Sequence, residues 1–102
     1  EVITRIRHMV LNNDPVSYLI SYSLFAQGDN VGRDQLDRIV APVLVVTGGD
    51  DVGSTPHMAH ALADALPNAH CKILSGMKHM LIMENADTVT TVLHNFLAKY
   101  AR

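Results

Sequence analysis

The chain has 102 residues, 48% of them hydrophobic and 18% charged, with a formal net charge of −2. That balance belongs to one small packed domain rather than to a disordered chain. It offers no basic face for nucleic acid and no polybasic patch for an anionic membrane, and no apolar run approaches the roughly 18 residues that span a bilayer.

In chain order, Val2, Ile3, Ile6, Met9 and Val10 recur at helical spacing opposite Arg5, Arg7 and His8, which predicts a short amphipathic helix over 2–10. Asp14 and Pro15 then supply a helix cap and a first helical residue, and Tyr18, Leu19, Tyr22, Phe25 and Ala26 form an apolar stripe that ends near Gly28. The polar segment from Gly28 to Pro42 reads as a linker, with one helical turn around 34–38. Residues 43–47, VLVVT, are β-branched without alternation, the pattern of a strand covered on both faces in a parallel sheet.

After GGDDVGS, Thr55 and Pro56 open a helix expected to turn Met58, Ala59, Leu62 and Leu66 inward and His57, His60 and Asp64 outward. A second strand is predicted over 71–74. A last helix starts near 85–87, with Val89, Val92, Leu93, Phe96, Leu97 and Tyr100 on its apolar face. Strand, helix, strand, helix is a βαβα order, which places the helices on a parallel sheet by right-handed crossovers. Two strands are too few to bury such a sheet. The chain also opens EVITRIRHMV, without an initiator Met or a signal-peptide pattern, and it is expected to be the last part of a larger α/β domain.

Ligands of open α/β sheets collect beyond the carboxyl ends of the strands, where GGDDVGS and SGMKHM both fall. If the strands are neighbours, Asp50 or Asp51 comes within reach of His79. A carboxylate on one imidazole nitrogen fixes the tautomer and leaves the other nitrogen to take a proton from a nucleophile.

IVAPVLVVTGGDDVGSTP followed by LPNAHCKILSGMKHMLIMENADTVTTVLHNFL resembles the C-terminal segment of the α/β-hydrolase superfamily. There a strand ending in Gly-x-x-Asp carries the acid of a catalytic triad, and a later Gly-x-x-His carries the base. The resemblance implies Asp51 as acid and His79 as base, with Glu84 matching an acidic residue that often follows the histidine by five positions. It implies cap or lid-type helices over 1–30 and the core segment over 31–102, with NNDPVSYLISYSLFAQGD and GSTP most similar to 3-oxoadipate enol-lactonase-like hydrolases. The expected substrate is then a small carboxylic ester or lactone, with no cofactor. Lys78 departs from the Gly common before the histidine, Ala86 from a common Pro, and one extra residue precedes Pro56.

The family's nucleophile sits in a Gly-x-Ser-x-Gly elbow before the acid and the base, and this sequence has none; Ser54 and Ser75 have Gly on one side only. The nucleophile and oxyanion donors are therefore expected in upstream sequence, and this chain alone is expected to be inactive. A non-catalytic α/β module that covers its sheet edge by self-association is the competing expectation.

Other residues have an ordinary reading beside a functional one. Met80, beside the base, is either core filler or pocket lining; Tyr22, with Tyr18 and Phe25, is either a helical core stripe or the cap side of a substrate pocket. Glu84 is expected to cap the last helix or to pair with a loop amide. His57 and His60 read as a solvated helix face rather than a metal site, and His70 and His94 as surface residues. Cys71 has no partner for an internal disulfide and reads as a small buried hydrophobe, so a reducing, cytoplasmic setting is expected.

Overall fold

The computed structural model describes residues 1–28 and 32–101. The boundary expected between residues 30 and 31, and part of the predicted linker, lie outside the described residues. The contacts divide the chain into two units, Glu1–Arg33 and Asp34–Arg102.

The first unit holds α1 (Val2–Leu11) and α2 (Pro15–Gln27). Asp14 caps α2: one carboxylate oxygen accepts both the backbone N–H and the hydroxyl of Ser17, at 3.1 and 2.6 Å. Pro15 has a preset φ and no N–H to leave unsatisfied, so it suits the first turn. Tyr18, Tyr22 and Phe25 follow one another up the same helix face, with ring centroids 5.9 and 6.1 Å apart. All three are exposed.

The second unit begins within a 3₁₀ turn (Arg33–Arg38) and continues through β1 (Val43–Gly48), α3 (Pro56–Ala65), β2 (Ala69–Leu74), α4 (Leu81–Glu84) and α5 (Ala86–Tyr100). β1 and β2 pair in parallel, from Val43 opposite Ala69 to Gly48 opposite Leu74. Both strands are longer than predicted, and α4 was not anticipated, because a four-residue helix carries too few apolar positions to show a period.

Alternation along the strands divides the apolar residues between two faces. On one face, Val45 packs with Ala59 and Leu66, joined by Val43, Ala63, Cys71 and Ile73. On the other, Leu74, Met77 and Val89 cluster with Val46, Leu81 and Val92. Burying one such side chain stabilises the fold by about 1.5–3 kcal/mol.

Two helix-face expectations need correction. Met58 and Leu62 are 55% and 43% exposed rather than inward. Ala59 and Ala63 present the sheet-facing side of α3, and Met58 and Leu62 precede them by one residue, about 100° around the helix. Two strands about 4.8 Å apart are too narrow to reach both positions. For the same reason α5 turns Val89, Val92 and Phe96 inward and leaves Leu93 and Leu97 exposed.

His70 is exposed, and its Nε2 lies 2.8 Å from the Tyr100 hydroxyl, which links β2 to the end of α5. Cys71 is half-buried; burial, with the nearby Asp64 carboxylate, raises its thiol pKa and disfavours the thiolate. No described helix is long and apolar enough to cross a membrane.

Candidate active site

The carboxyl ends of β1 and β2 open into two loops that share backbone hydrogen bonds. Gly49 N–H donates to Leu74 O at 2.8 Å, continuing the sheet by one residue. Asp50 N–H then donates to Met77 O at 2.9 Å, fastening the aspartate loop to the histidine loop. Gly48 makes this approach possible, because a Cβ there would run into the backbone of Met77 and Lys78. Gly76 turns the histidine loop with φ 72°, a conformation that suits residues without a Cβ.

Asp51 is only 7% exposed, and both of its carboxylate oxygens are used. Oδ1 accepts the N–H groups of Gly53 and Ser54, each at 2.9 Å, which folds the loop around the side chain. Oδ2 lies 2.8 Å from His79 Nδ1. Thr47, buried at the end of β1, donates its hydroxyl to Ser54 O at 2.7 Å and holds the far side of the same loop. Asp50 is exposed. The structure therefore brings Asp51, not Asp50, against His79.

The bond to His79 is the main cause that lowers the Asp51 pKa below its ordinary 3.8, and the Ser54 and Gly53 amides add to it against the opposing effect of burial. An ionised carboxylate only accepts, so the proton of a neutral His79 sits on Nδ1 and Nε2 keeps its lone pair. The His79 side chain is 70% exposed, whereas that of Asp51 is 5% exposed. The pair is a buried, fixed carboxylate behind an accessible imidazole.

Because the pKa of Asp51 is lower folded than unfolded, the unfolded chain binds the extra proton as pH falls. The stabilisation is present above the ordinary carboxylate value and is lost as pH falls through the depressed one. Asp51→Asn is therefore expected to flatten the loss of stability between about pH 5 and pH 2, read as urea midpoints across that range.

Met80 is 38% exposed and borders, with His79, an apolar cavity of about 530 Å³ that Val46, Leu81, Val89 and Leu93 also line. Tyr22 stands on α2, in the other unit. Glu84 does not cap α5; Asn85 does, accepting Thr88 N–H at 3.1 Å. Glu84 instead takes the Lys78 N–H on its two oxygens, at 2.8 and 3.1 Å. His57 and His60 are exposed on α3, and among the described residues no three His, Cys, Asp or Glu side chains converge on a metal position. Sequence reasoning missed Thr47 and Gly48. A hydroxyl and a glycine at the end of an otherwise aliphatic strand were the available signal.

No family model matches the chain. Among the curated relatives that match are the (E)-2-((N-methylformamido)methylene)succinate hydrolase of Acinetobacter baylyi, 29% identical over 91% of this chain and 35% of that protein, and the proline iminopeptidase of Lacticaseibacillus rhamnosus, 35% identical over 64% of this chain and 22% of that protein. Among solved structures, BpoC of Mycobacterium tuberculosis, a candidate non-heme bromoperoxidase, superposes on 66% of this chain and 25% of its own, with TM-score 0.63 and 33% identity. An α/β hydrolase from a sediment metagenome of the Mar Chica lagoon, Morocco, matches all of this chain and 46% of its own, with TM-score 0.74 and 19% identity. These relatives and neighbours are α/β hydrolases, and the chain is similar to them over the part of their length that it covers. It has the architecture of the C-terminal part of the α/β-hydrolase fold. It spans about a third or less of the length of the curated relatives it matches.

Proposed function

We propose that this α/β-hydrolase segment carries the acid and base of a Ser-His-Asp triad, and that the complete hydrolase cleaves a small carboxylic ester or enol-lactone. The observation that carries the reading is the 2.8 Å contact between buried Asp51 Oδ2 and His79 Nδ1, which leaves the Nε2 edge of an exposed ring available. In this reading a serine outside this sequence attacks the substrate carbonyl. His79 Nε2 takes its proton and passes it to the leaving oxygen, while Asp51 holds the ring and stabilises the imidazolium. His79 then deprotonates water, which attacks the acyl-enzyme and frees the acid and the serine. Residues 1–30 serve as cap-type helices and 31–102 as the core segment, and the apolar cavity beside His79 and Met80 suits an uncharged part of the substrate.

The test is hydrolysis of a p-nitrophenyl ester and an enol-lactone by the 102-residue chain and by a longer protein that includes it. Turnover is expected only from the longer form. Turnover by the short chain alone would refute a nucleophile outside it.

Exposed Ile82, Phe25 and Leu97 favour a second reading, a non-catalytic module that covers its apolar surface with another copy. Under that reading the short chain elutes as an oligomer, and the longer form shows no esterase activity.

A further inference from the structure

We propose that Glu84 is a positioning residue for His79, acting through the backbone of Lys78; this rests on the reading of Asp51 and His79 as acid and base. Residues 77–80 have neither helical nor strand structure, so the imidazole is carried by a segment with little backbone support of its own. Beyond the turn bond from Met77 N–H to Leu74 O at 3.3 Å, the segment is held at three points. Met77 O accepts Asp50 N–H from the acid loop. Met80 O accepts the N–H groups of Met83 and Glu84, both at 2.9 Å, and so starts α4. Between these two points, the Lys78 N–H is taken by both oxygens of Glu84.

The contact between Lys78 and Glu84 closes a ring of backbone around His79, with α4 as its far side. A carboxylate acceptor gives a charge-assisted bond, stronger than one to a neutral group. It also pins the residue immediately before His79, where a small change in backbone angle would swing Nδ1 away from Asp51 Oδ2. The short helix thus has a use that its four residues do not explain alone: it sets Glu84 back over the loop it follows.

The test is nuclear magnetic resonance of the longer protein that includes this chain. Two signals are read: exchange of the Lys78 amide, and the low-field His79 Nδ1–H resonance expected of an imidazole bonded to a carboxylate. Glu84→Ala is expected to speed Lys78 exchange by at least about tenfold and to lose the His79 resonance. Glu84→Gln, whose amide oxygen still accepts the bond, is expected to retain the resonance. A His79 resonance unchanged in Glu84→Ala overturns the proposal, as does its loss in a folded Glu84→Gln variant. If Glu84→Ala fails to fold, Glu84→Asp takes its place, since its shorter side chain falls short of Lys78, and an unchanged resonance there overturns the proposal. A wild-type resonance that does not respond to Asp51→Asn refutes the acid and base reading and this proposal with it. A resonance sensitive to Asp51→Asn but not to loss of Glu84 refutes this proposal alone.

Discussion

Under the proposed function, His79→Ala in the longer protein is expected to lower kcat by about 10⁴ to 10⁶-fold, the range seen when the base of a triad is removed and only binding and oxyanion stabilisation remain. KM should change little, because the lost group acts on the reacting proton rather than on substrate binding. Asp51→Asn is expected to lose about 10⁴-fold, because an amide facing Nδ1 no longer demands that the ring proton sit there. His57→Ala is the control. It removes another exposed histidine, on α3, and is expected to leave kcat within about twofold. Steady-state kinetics on the three variants checks the set, and equal losses at His57 and His79 would refute the triad assignment.

Gly48→Ala is expected to have the largest structural effect of a methyl added at any of the glycines. The new Cβ would meet the backbone of Met77 and Lys78, which cannot rotate aside as a flexible side-chain end would. Overpacking of this kind costs about 1–3 kcal/mol. Here the strain falls on the loop that carries His79, so the bond from Asp50 N–H to Met77 O should break and the Asp51–His79 distance should lengthen. The expected result is a lower urea midpoint in the short chain and, in the active hydrolase, a loss of kcat larger than the change in stability explains. A Gly48→Ala variant with wild-type stability and an intact His79 resonance would show that the loops separate without cost.

Much of the fold was legible because its signals are local. The Asp14 and Pro15 pair announces the start of α2 with a side-chain cap and a preset φ, both set within three residues. The β-branched run before Gly48 declares a covered strand, and the period of α5 shows its helical state. Which turns of a helix are covered was less legible. Met58 and Leu62 satisfy an amphipathic pattern as well as Ala59 and Ala63 do, and only the width and direction of the sheet choose between them. For Glu84 the sequence left two tasks open, a helix cap or a bond to a loop amide, and the structure takes the second: Asn85 caps the helix and Glu84 accepts the Lys78 N–H.

By itself the sequence determined the kinds of element, their order, and the placement of two chemically equipped loops at strand ends, because propensity, capping and periodicity act over a few residues. From the residues alone either Asp50 or Asp51 could face His79; spacing and the resemblance to a family favoured Asp51. The tertiary structure decided the geometry. Parallel pairing to Gly48 opposite Leu74, the close approach that a glycine at position 48 permits, and the folding of the loop around Asp51 Oδ1 leave Oδ2 alone directed at His79. Apart from that local loop, these are relations between residues 26 to 30 positions apart, so they exist only once the two strands have met.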